Sequence, residues 1–146
     1  KKVVNGLCNI FKNNQECLYL GNINAKRDWG HAKDYVVAMW LMLQQETPDE
    51  YVISSGEQYS VKQFISKTAD CLGMNIKWEG EGLNEVAIYK NKQIIKISNK
   101  FFRPAEVNSL IGDSQKAIEK LAWKREYTID GLIEDMVNCA LKDSNV

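Results

Sequence analysis

The chain has 146 residues, of which 45% are hydrophobic and 26% charged, and this fits one globular domain that buries roughly 68–70% of its unfolded surface. Its 19 basic and 19 acidic residues balance, so no net charge draws it to nucleic acid or to an anionic membrane. Four scattered cysteines and one histidine lack zinc-site spacing and indicate reduced, structural thiols. No apolar run is long enough to span a bilayer. We expect a cytoplasmic protein without nucleic-acid or membrane partners.

The first half of the chain alternates predicted helices with short predicted strands. Residues 2–13 have apolar side chains at helical spacing, and residues 17–20 form a short apolar segment that Gly21 closes. Residues 31–46 predict a helix that is apolar on nearly every side and is therefore buried in a larger body. Residues 51–54 predict a strand, and a strand after a buried helix is how an α/β sheet continues.

The second half carries clearer helix signals. Ser60 followed by Gln63 forms a capping box at the start of a helix that Gly73 ends. The remaining predicted elements are a strand at 76–78, a hairpin of 86–89 and 94–97 around a turn at 90–93, a helix capped by Asp113 or Ser114, and a last helix opened by Thr128. The sequence thus predicts an α/β fold, mostly helices with short strands and a small hairpin. Because it opens on Lys1 within a helical pattern, we expect a piece of a longer protein.

Two arginines each lie in a loop beside the end of a predicted element. Arg27 precedes the predicted buried helix, and Arg103 lies three residues before the carboxylate of Glu106. A guanidinium fork binds phosphate oxygens in pairs, and a carboxylate accepts hydrogen bonds from sugar hydroxyls. These residues therefore predict a clamp for a sugar-linked pyrophosphate. The competing interpretation is ordinary ion pairing, of Arg27 with Asp28 or Asp34 and of Arg103 with Glu106.

Three further features favour structural roles. The single histidine, His31, has no acidic or nucleophilic partner fixed by spacing, so we expect it to pack or to cap a helix rather than to catalyse. Met39, Trp40 and Met42 continue the predicted buried helix and indicate core. Residues 124–125, a lysine followed by an arginine, predict a solvated corner.

Four stretches of the sequence resemble a known enzyme family. They are Leu18 to Tyr35 continued by Ala38 to Gln44, Phe102 to Val107, Glu79-Gly80 with Asn84-Glu85-Val86, and the ending Leu121 to Lys124. These stretches are similar to the GDP-mannose 4,6-dehydratases, which are extended short-chain dehydrogenase/reductases. The resemblance covers almost the whole chain.

The resemblance implies a Rossmann-like parent fold whose N-terminal domain, absent from this chain, holds NADP. Residues 1–146 then form the smaller C-terminal domain that binds GDP-mannose, and residues 51–54 are a strand lent to the parent Rossmann sheet. The implied partners are GDP-mannose or GDP, the N-terminal Rossmann half and further copies of the chain, because the family commonly forms dimers or tetramers.

The resemblance also assigns the site residues. It places Arg27 and Arg103 on the diphosphate and Glu106 on the ribose of GDP. It places Leu20 and Gly21 near the guanine. The hairpin turn at 90–93 departs from the family, in which this turn is longer and contains glycine.

The residues of the chemical steps are missing from this sequence. No G-x-x-G-x-x-G turn occurs, and no tyrosine is followed four positions later by a lysine. In the intact enzyme, the resemblance implies, that Tyr-Lys pair and the nicotinamide oxidise the sugar at C4, water is eliminated across C5 and C6, and the hydride returns to C6. The product is GDP-4-keto-6-deoxymannose, on the route to GDP-fucose. We expect this segment to be inactive alone, with no catalytic residue, metal or cofactor of its own.

Two other functions stay open from the sequence. A truncated sheet exposes a strand edge and an apolar face, so the chain is alternatively a non-catalytic oligomerisation module. It is alternatively the equivalent part of a related nucleotide-sugar epimerase or dehydratase that takes another base.

Overall fold

The computed structural model describes residues 1–101 and 107–142. Within them the chain forms five α-helices, α1 (Lys2–Phe11), α2 (Ala32–Leu43), α3 (Val61–Cys71), α4 (Gln115–Leu121) and α5 (Ile129–Lys142). The strands of this part are β1 (Leu18–Leu20), β2 (Lys26–Arg27), β3 (Tyr59–Ser60), β4 (Lys77–Glu79), β5 (Val86–Tyr89) and β6 (Lys92–Ile97). Four strands form one sheet in the order β1-β6-β5-β4, in which β1 and β6 are parallel and the others antiparallel. β2 and β3 form a separate antiparallel pair.

Helices α1, α3 and α5 pack on the four-stranded sheet and enclose one hydrophobic cluster, which we call the closed core. Its buried members are Val4, Leu7, Cys8, Ile10, Leu18, Leu20, Ile23, Phe64, Ile65, Ala69, Leu72, Met74, Ala87, Ile94, Ile95, Ile129, Ile133 and Val137. Gly6 allows α1 to approach β1, because a Cβ there would lie 2.9 Å from Cδ2 of Leu18. All four cysteines are free. The structural role predicted for them holds for Cys8, whereas Cys71 and Cys139 are exposed.

The predicted capping box starts α3 as expected. The Gln63 backbone N–H donates to Ser60 Oγ at 3.0 Å, and the Ser60 N–H donates to Gln63 Oε1 at 2.7 Å. Gly73, just past the helix, has φ +68, the left-handed conformation that glycine adopts without strain. Both end signals of this helix are confirmed.

The hairpin forms where the sequence predicts it, but its turn is shorter. Tyr89 pairs with Lys92, so the turn is the two residues Lys90 and Asn91 rather than 90–93. Both have left-handed φ values, +49 and +62, as in the mirror-image turns whose twist suits a two-residue hairpin. The predicted four-residue turn is therefore wrong.

Helix α2 stays outside the closed core. Its buried residues Asp34 and Ala38 face a small second cluster with Ala117, Leu121 and Trp123. We call α2, α4, residues 51–54 and Trp123 the open side. Five apolar side chains of α2 that point away from this second cluster are half or more exposed: Val36, Val37, Met39, Trp40 and Leu43.

The open side corrects one prediction and leaves another untested. Met39 and Trp40 are 60% exposed and are not core of this chain, because the described residues supply nothing to cover them. Residues 51–54 form no strand within the described part of the chain, so their place in a parent sheet stays a prediction. Gly112 packs so tightly against this segment that a Cβ there would lie 2.5 Å from Cβ of Ser54.

No helix in the described ranges is long and apolar enough to cross a membrane.

Candidate functional site

The loop after β1, whose Ile23 belongs to the closed core, is held by the first turn of α3. The Val61 N–H donates to the carbonyl of Ala25 at 3.2 Å, and the Lys62 N–H donates to the carbonyl of Ile23 at 2.8 Å. These are amide groups that the start of a helix leaves without an intrahelical acceptor. Leu20 itself is buried, and its carbonyl accepts the N–H of Ser98 at 2.8 Å. The loop is therefore tied down at both ends.

Arg27 lies in β2 and contacts the chain just beyond the predicted second arginine. Its Nη1 donates to the carbonyl of Val107 at 2.6 Å and to the carbonyl of Lys26 at 2.7 Å. The Lys26 N–H also donates to the carbonyl of Asn108 at 2.8 Å. Residues 107–108 thus lie against β2. Arg103 and Glu106 fall outside the described residues, and their roles stay predictions.

The two carboxylates proposed as ordinary partners of Arg27 are used elsewhere. Asp28 accepts the backbone N–H groups of Ser55 and Gly56 at 2.8 and 3.0 Å. The buried Asp34 accepts those of Glu126 and Tyr127 at 3.1 and 3.2 Å. Each acid therefore serves as a backbone anchor.

A side-chain network that sequence spacing missed lies next to Arg27. Arg125 donates from Nη1 to the carbonyl of Ser55 and from Nη2 to Oε1 of Glu57, both at 3.0 Å. Tyr59, which pairs with Arg27 across β2 and β3, donates its hydroxyl to Oε2 of Glu57 at 3.1 Å. The hydrogen bond from Arg125 holds the pKa of the Glu57 carboxyl below its usual value. The Arg125 side chain is only 25% exposed, so the predicted solvated corner is wrong for this residue.

A small cavity of about 130 Å³ opens beside the loop after β1. It is lined by Gly21, Asn22, Ile23, Asn24, Gly82, Leu83 and Ile97. The loop and the turn before β5 form its walls, so Gly21, one of the predicted site residues, lines it directly. Leu20 does not line it and instead belongs to the closed core.

A partly buried ion pair fixes the two walls of this cavity relative to each other. Lys62 Nζ lies 2.5 Å from Oε1 of Glu85, whose side chain is only 7% exposed. The same ammonium lies 5.0 Å from the ring centroid of Trp78. Lys62 belongs to α3, the helix that holds the loop after β1. Glu85 follows the turn that forms the opposite wall. The pair therefore joins α3 to that opposite wall. Sequence reasoning missed the pair, although Glu85 lies in one of the family-like stretches.

His31 packs and caps, as the sequence predicts. Its Nδ1 accepts the backbone N–H of Lys33 at 3.1 Å at the start of α2, and its ring stacks on Tyr127 with centroids 4.0 Å apart. Because Nδ1 accepts, the neutral ring carries its proton on Nε2, which lies 3.1 Å from Oδ2 of Asp135. Lys33 Nζ bonds the same oxygen at 3.1 Å. The acidic partner of His31 is therefore 104 positions away in the sequence.

The described part of the site suits binding rather than bond breaking. Arg27 supplies a permanent positive charge, and Gly21 and its neighbours supply a pocket in a fixed loop. Among the described residues, no group of three histidine, cysteine or acidic side chains could hold a metal ion.

Comparison with known proteins gives close sequence relatives. The family model described as "GDP-mannose 4,6 dehydratase" matches residues 1–136. The chain is 44% identical to GDP-mannose 4,6-dehydratase of Vibrio cholerae, over 97% of this chain and 41% of that protein. It is 45% identical to GDP-mannose 4,6 dehydratase of Homo sapiens, over 94% of this chain and 38% of that protein. The chain thus spans about two fifths of the length of these curated relatives.

Solved structures share the fold at lower identity. The structure of RMD from Pseudomonas aeruginosa complexed with NADPH matches with a TM-score of 0.76 and 17% identity, over 97% of this chain and 41% of that one. A dTDP-glucose 4,6-dehydratase from Bacillus anthracis in complex with NAD matches with a TM-score of 0.75 and 17% identity, over 99% and 40%. These neighbours share the α/β fold of this chain and confirm the predicted fold class.

Proposed function

The chain belongs to the GDP-mannose 4,6-dehydratase family, and from that membership we propose that it is the GDP-sugar-binding C-terminal part of such an enzyme. The intact protein converts GDP-mannose to GDP-4-keto-6-deoxymannose. The observation that carries the proposal is the bond from Arg27 to the carbonyl of Val107. It holds Arg27 beside the end of the segment that contains Arg103 and Glu106.

The site residues act on the nucleotide. Arg27 and Arg103 neutralise the diphosphate with paired, charge-assisted hydrogen bonds, and Glu106 accepts from the ribose hydroxyls. The base lies at the loop after β1, where Gly21 lines the small cavity. The Lys62–Glu85 pair supports that end of the site from behind.

The residues of this chain do not fit NADP. The sequence contains neither the glycine-rich turn that receives a dinucleotide phosphate nor a Tyr-x-x-x-Lys pair. We assign NADP and the chemical steps to the N-terminal Rossmann half of the intact protein. This chain then contributes binding and orientation of the substrate, and it is inactive alone.

The N-terminal half docks on the open side. A contiguous exposed apolar surface of this kind marks a place where another protein surface packs, and here α2 presents Trp40 and Leu43 at 60% and 81% exposure. Ser54 Oγ is buried without a hydrogen-bond partner among the described residues, which a neighbouring strand would supply. Residues 51–54 then join the parent sheet, and the intact enzyme is a cytoplasmic homo-oligomer.

The exposed apolar face also favours a second candidate, a module that acts by self-assembly. This face would hold copies of the chain together without any nucleotide. Sedimentation of the purified chain separates the two: a monomer with and without GDP speaks against the assembly module.

Calorimetric titration with GDP tests the nucleotide site. Arg27→Ala and Arg103→Ala should each weaken GDP binding by about 1.5–3 kcal/mol, the usual worth of a hydrogen bond to a charged group. Arg103→Lys should not restore it, because an ammonium cannot reproduce the guanidinium fork. Lys26→Ala removes the neighbouring exposed charge and serves as the control. Unchanged GDP affinity in both arginine variants would overturn the site, and equal binding of UDP or dTDP would point to a related enzyme with another base.

Reconstitution tests the docking side. Coexpression with the N-terminal three fifths of the Vibrio cholerae relative should restore dehydration of GDP-mannose. Trp40→Glu with Leu43→Glu should abolish that activity while leaving GDP binding by the chain intact. Activity that survives both changes would remove the open side from the interface.

A further inference from the structure

A groove of about 660 Å³ opens at the end of the sheet opposite the candidate site. It lies between the tip of the β5–β6 hairpin and the loop that joins α1 to β1. Lys92 begins β6 and lines the groove, whereas Ile97 ends β6 and lines the small cavity beside Gly21. Lys96 also lines the groove and directly precedes Ile97, but successive side chains of a strand point to opposite faces of the sheet, so these two residues open onto different sides. The groove is therefore distinct from the nucleotide site, and its volume is that of a small-molecule pocket.

The residues that line the groove carry a net positive charge. Lys90, Lys92 and Lys96 line it, against a single carboxylate, Glu16. In the part of the chain that the structure describes, none of these three lysines forms an ion pair with a carboxylate. Three lysines that line one concavity beside a single carboxylate favour an anion.

Aromatic rings lie beside these cations. Tyr19 is directly opposite Lys96 across the β1–β6 ladder, and Lys90 Nζ lies 5.0 Å from the ring centroid of Tyr89. Phe11 and Tyr19 line this concave surface, yet they are 45% and 48% exposed. Both rings are therefore accessible to a ligand. Exposed rings next to ammonium groups suit a ligand that combines a planar ring with negative charge.

The backbone presents these groups rigidly. Lys90 belongs to the two-residue turn and Lys92 immediately follows it, so the hairpin geometry fixes both positions. A register shift between Ala87 and Ile88 leaves Ile94 as an extra residue in β6, and such bulges redirect neighbouring side chains. Less ordering is therefore required when a ligand binds.

The groove lies away from the surface proposed for docking of the N-terminal half. Its lining residues belong to α1, the loop after it, β1 and the hairpin, and none belongs to the open side. Docking of the N-terminal half on the open side leaves these elements uncovered.

We propose that this groove is a second ligand site, for a small organic anion that carries a planar ring, such as a nucleoside phosphate. The assignment does not depend on the function proposed for the first site.

Amide chemical shifts of the ¹⁵N-labelled chain test the proposal, with ATP, tripolyphosphate and adenosine as probes. The titrations use the Arg27→Ala variant, so that the first site does not compete. ATP should shift the amides of residues 13–19 and 89–96. Tripolyphosphate and adenosine should each bind about tenfold more weakly, because one lacks the ring and the other the charge. Absence of shifts with millimolar ATP, or shifts confined to residues 21–27, would overturn the proposal.

Two matched double variants separate a site from general attraction to lysine. Lys92→Ala with Lys96→Ala should weaken ATP binding about tenfold or more. Lys77→Ala with Lys124→Ala removes two exposed charges outside the groove and should leave the affinity within about twofold. Equal weakening by both pairs would show that ATP is held only by overall charge. Tyr19→Ala should reduce the advantage of ATP over tripolyphosphate, and an unchanged ratio would exclude stacking in this groove.

Discussion

The closed core and the open side use the same materials, apolar helices and short extended segments, yet only one of them is complete. In the closed core, Leu7 and Ile65 are fully buried, whereas on the open side Trp40 and Leu43 face outward. Apolar residues at helical spacing indicate a surface that is suited to packing. They do not report whether the cover belongs to the same piece of chain.

The two regions meet at the start of α2, where Lys33 bonds Asp135 of α5 and a buried carboxylate binds the chain just before α5. Asp34 is 4% exposed and lies near the start of α2, where it accepts two backbone N–H groups from residues 126–127, just before α5. Its own carbonyl accepts the indole N–H of Trp123 at 2.9 Å. The incomplete region is thus fastened to the complete one by hydrogen bonds rather than by a shared hydrophobic cluster.

The largest difference in stability loss should come from replacing an isoleucine by alanine in each of the two regions. Ile65→Ala opens a cavity in the closed core and should cost roughly 3–4 kcal/mol of unfolding free energy. Ile118→Ala truncates a half-exposed side chain of α4 and should cost about 1 kcal/mol or less. Urea unfolding of the two variants measures the difference. Equal losses would mean that the open side is packed after all.

A smaller loss of stability should follow from removing the Asp34 hydrogen bonds that connect the two regions. Asp34→Ala removes the buried carboxylate that accepts two backbone N–H groups, and it should cost roughly 2–3 kcal/mol because hydrogen bonds to a charged group are the stronger ones. Asp28→Ala removes an analogous anchor at a more exposed position, where water can replace it, and should cost about 1 kcal/mol. Thermal unfolding of both variants checks the order. A small loss of stability in the Asp34 variant would show that the two regions are held together by other contacts.

Changing the exposed face of α2 should hardly affect stability. Trp40→Gln with Leu43→Gln is expected to change the unfolding free energy by less than about 0.5 kcal/mol, because neither side chain is packed. Self-association, followed by sedimentation velocity, should decrease. A loss of unfolding free energy well above that range, which also depends on protein concentration, would instead favour the assembly module.

The smallest effect concerns pH and the exposed Asp135. The hydrogen bond from Lys33, followed by that from His31, holds its pKa below the usual value of 3.8. Because the folded pKa is the lower one, the stabilisation is present above about pH 4 and disappears as pH falls through the folded pKa. Asp135→Asn should flatten this part of the stability profile. Melting curves between about pH 5 and about pH 2 test it, and identical slopes in both proteins would contradict it.

Local signals in the sequence predicted local structure well. Ser60 and Gln63 sit three residues apart, so the pattern that starts α3 is readable without knowing the fold, and Thr128 likewise caps α5 by accepting the Gly131 N–H. The β2–β3 pair escaped prediction because two-residue strands have no periodicity. The hairpin turn was misplaced because its first residue, Lys90, adopts a left-handed conformation that lysine rarely takes.

The candidate site was proposed from single residues. Arg27 was chosen for its place before a predicted helix and, like Gly21, from the resemblance. Arg27 lies in β2 and Gly21 lines the small cavity, and their binding roles stay predictions. The pairs Lys62–Glu85 and Arg125–Glu57 join residues 23 and 68 positions apart, and no spacing rule connects them. The exposure of α2 was not predicted either, because an apolar pattern does not show which residues of the chain lie against it.

The contact between α1 and α5 has a consequence for synthesis on the ribosome. Val4 and Leu7 share the closed core with Ile133 and Val137, and Lys12 Nζ bonds the carbonyl of Leu141, 129 positions away, at 2.9 Å. A helix as short as α1 is marginal without packing. It can pack on β1 and α3 earlier, but the side of α1 that meets α5 stays bare until α5 has been translated. Contacts so distant in sequence slow folding, and a nascent chain stalled before α5 should need a chaperone to stay soluble.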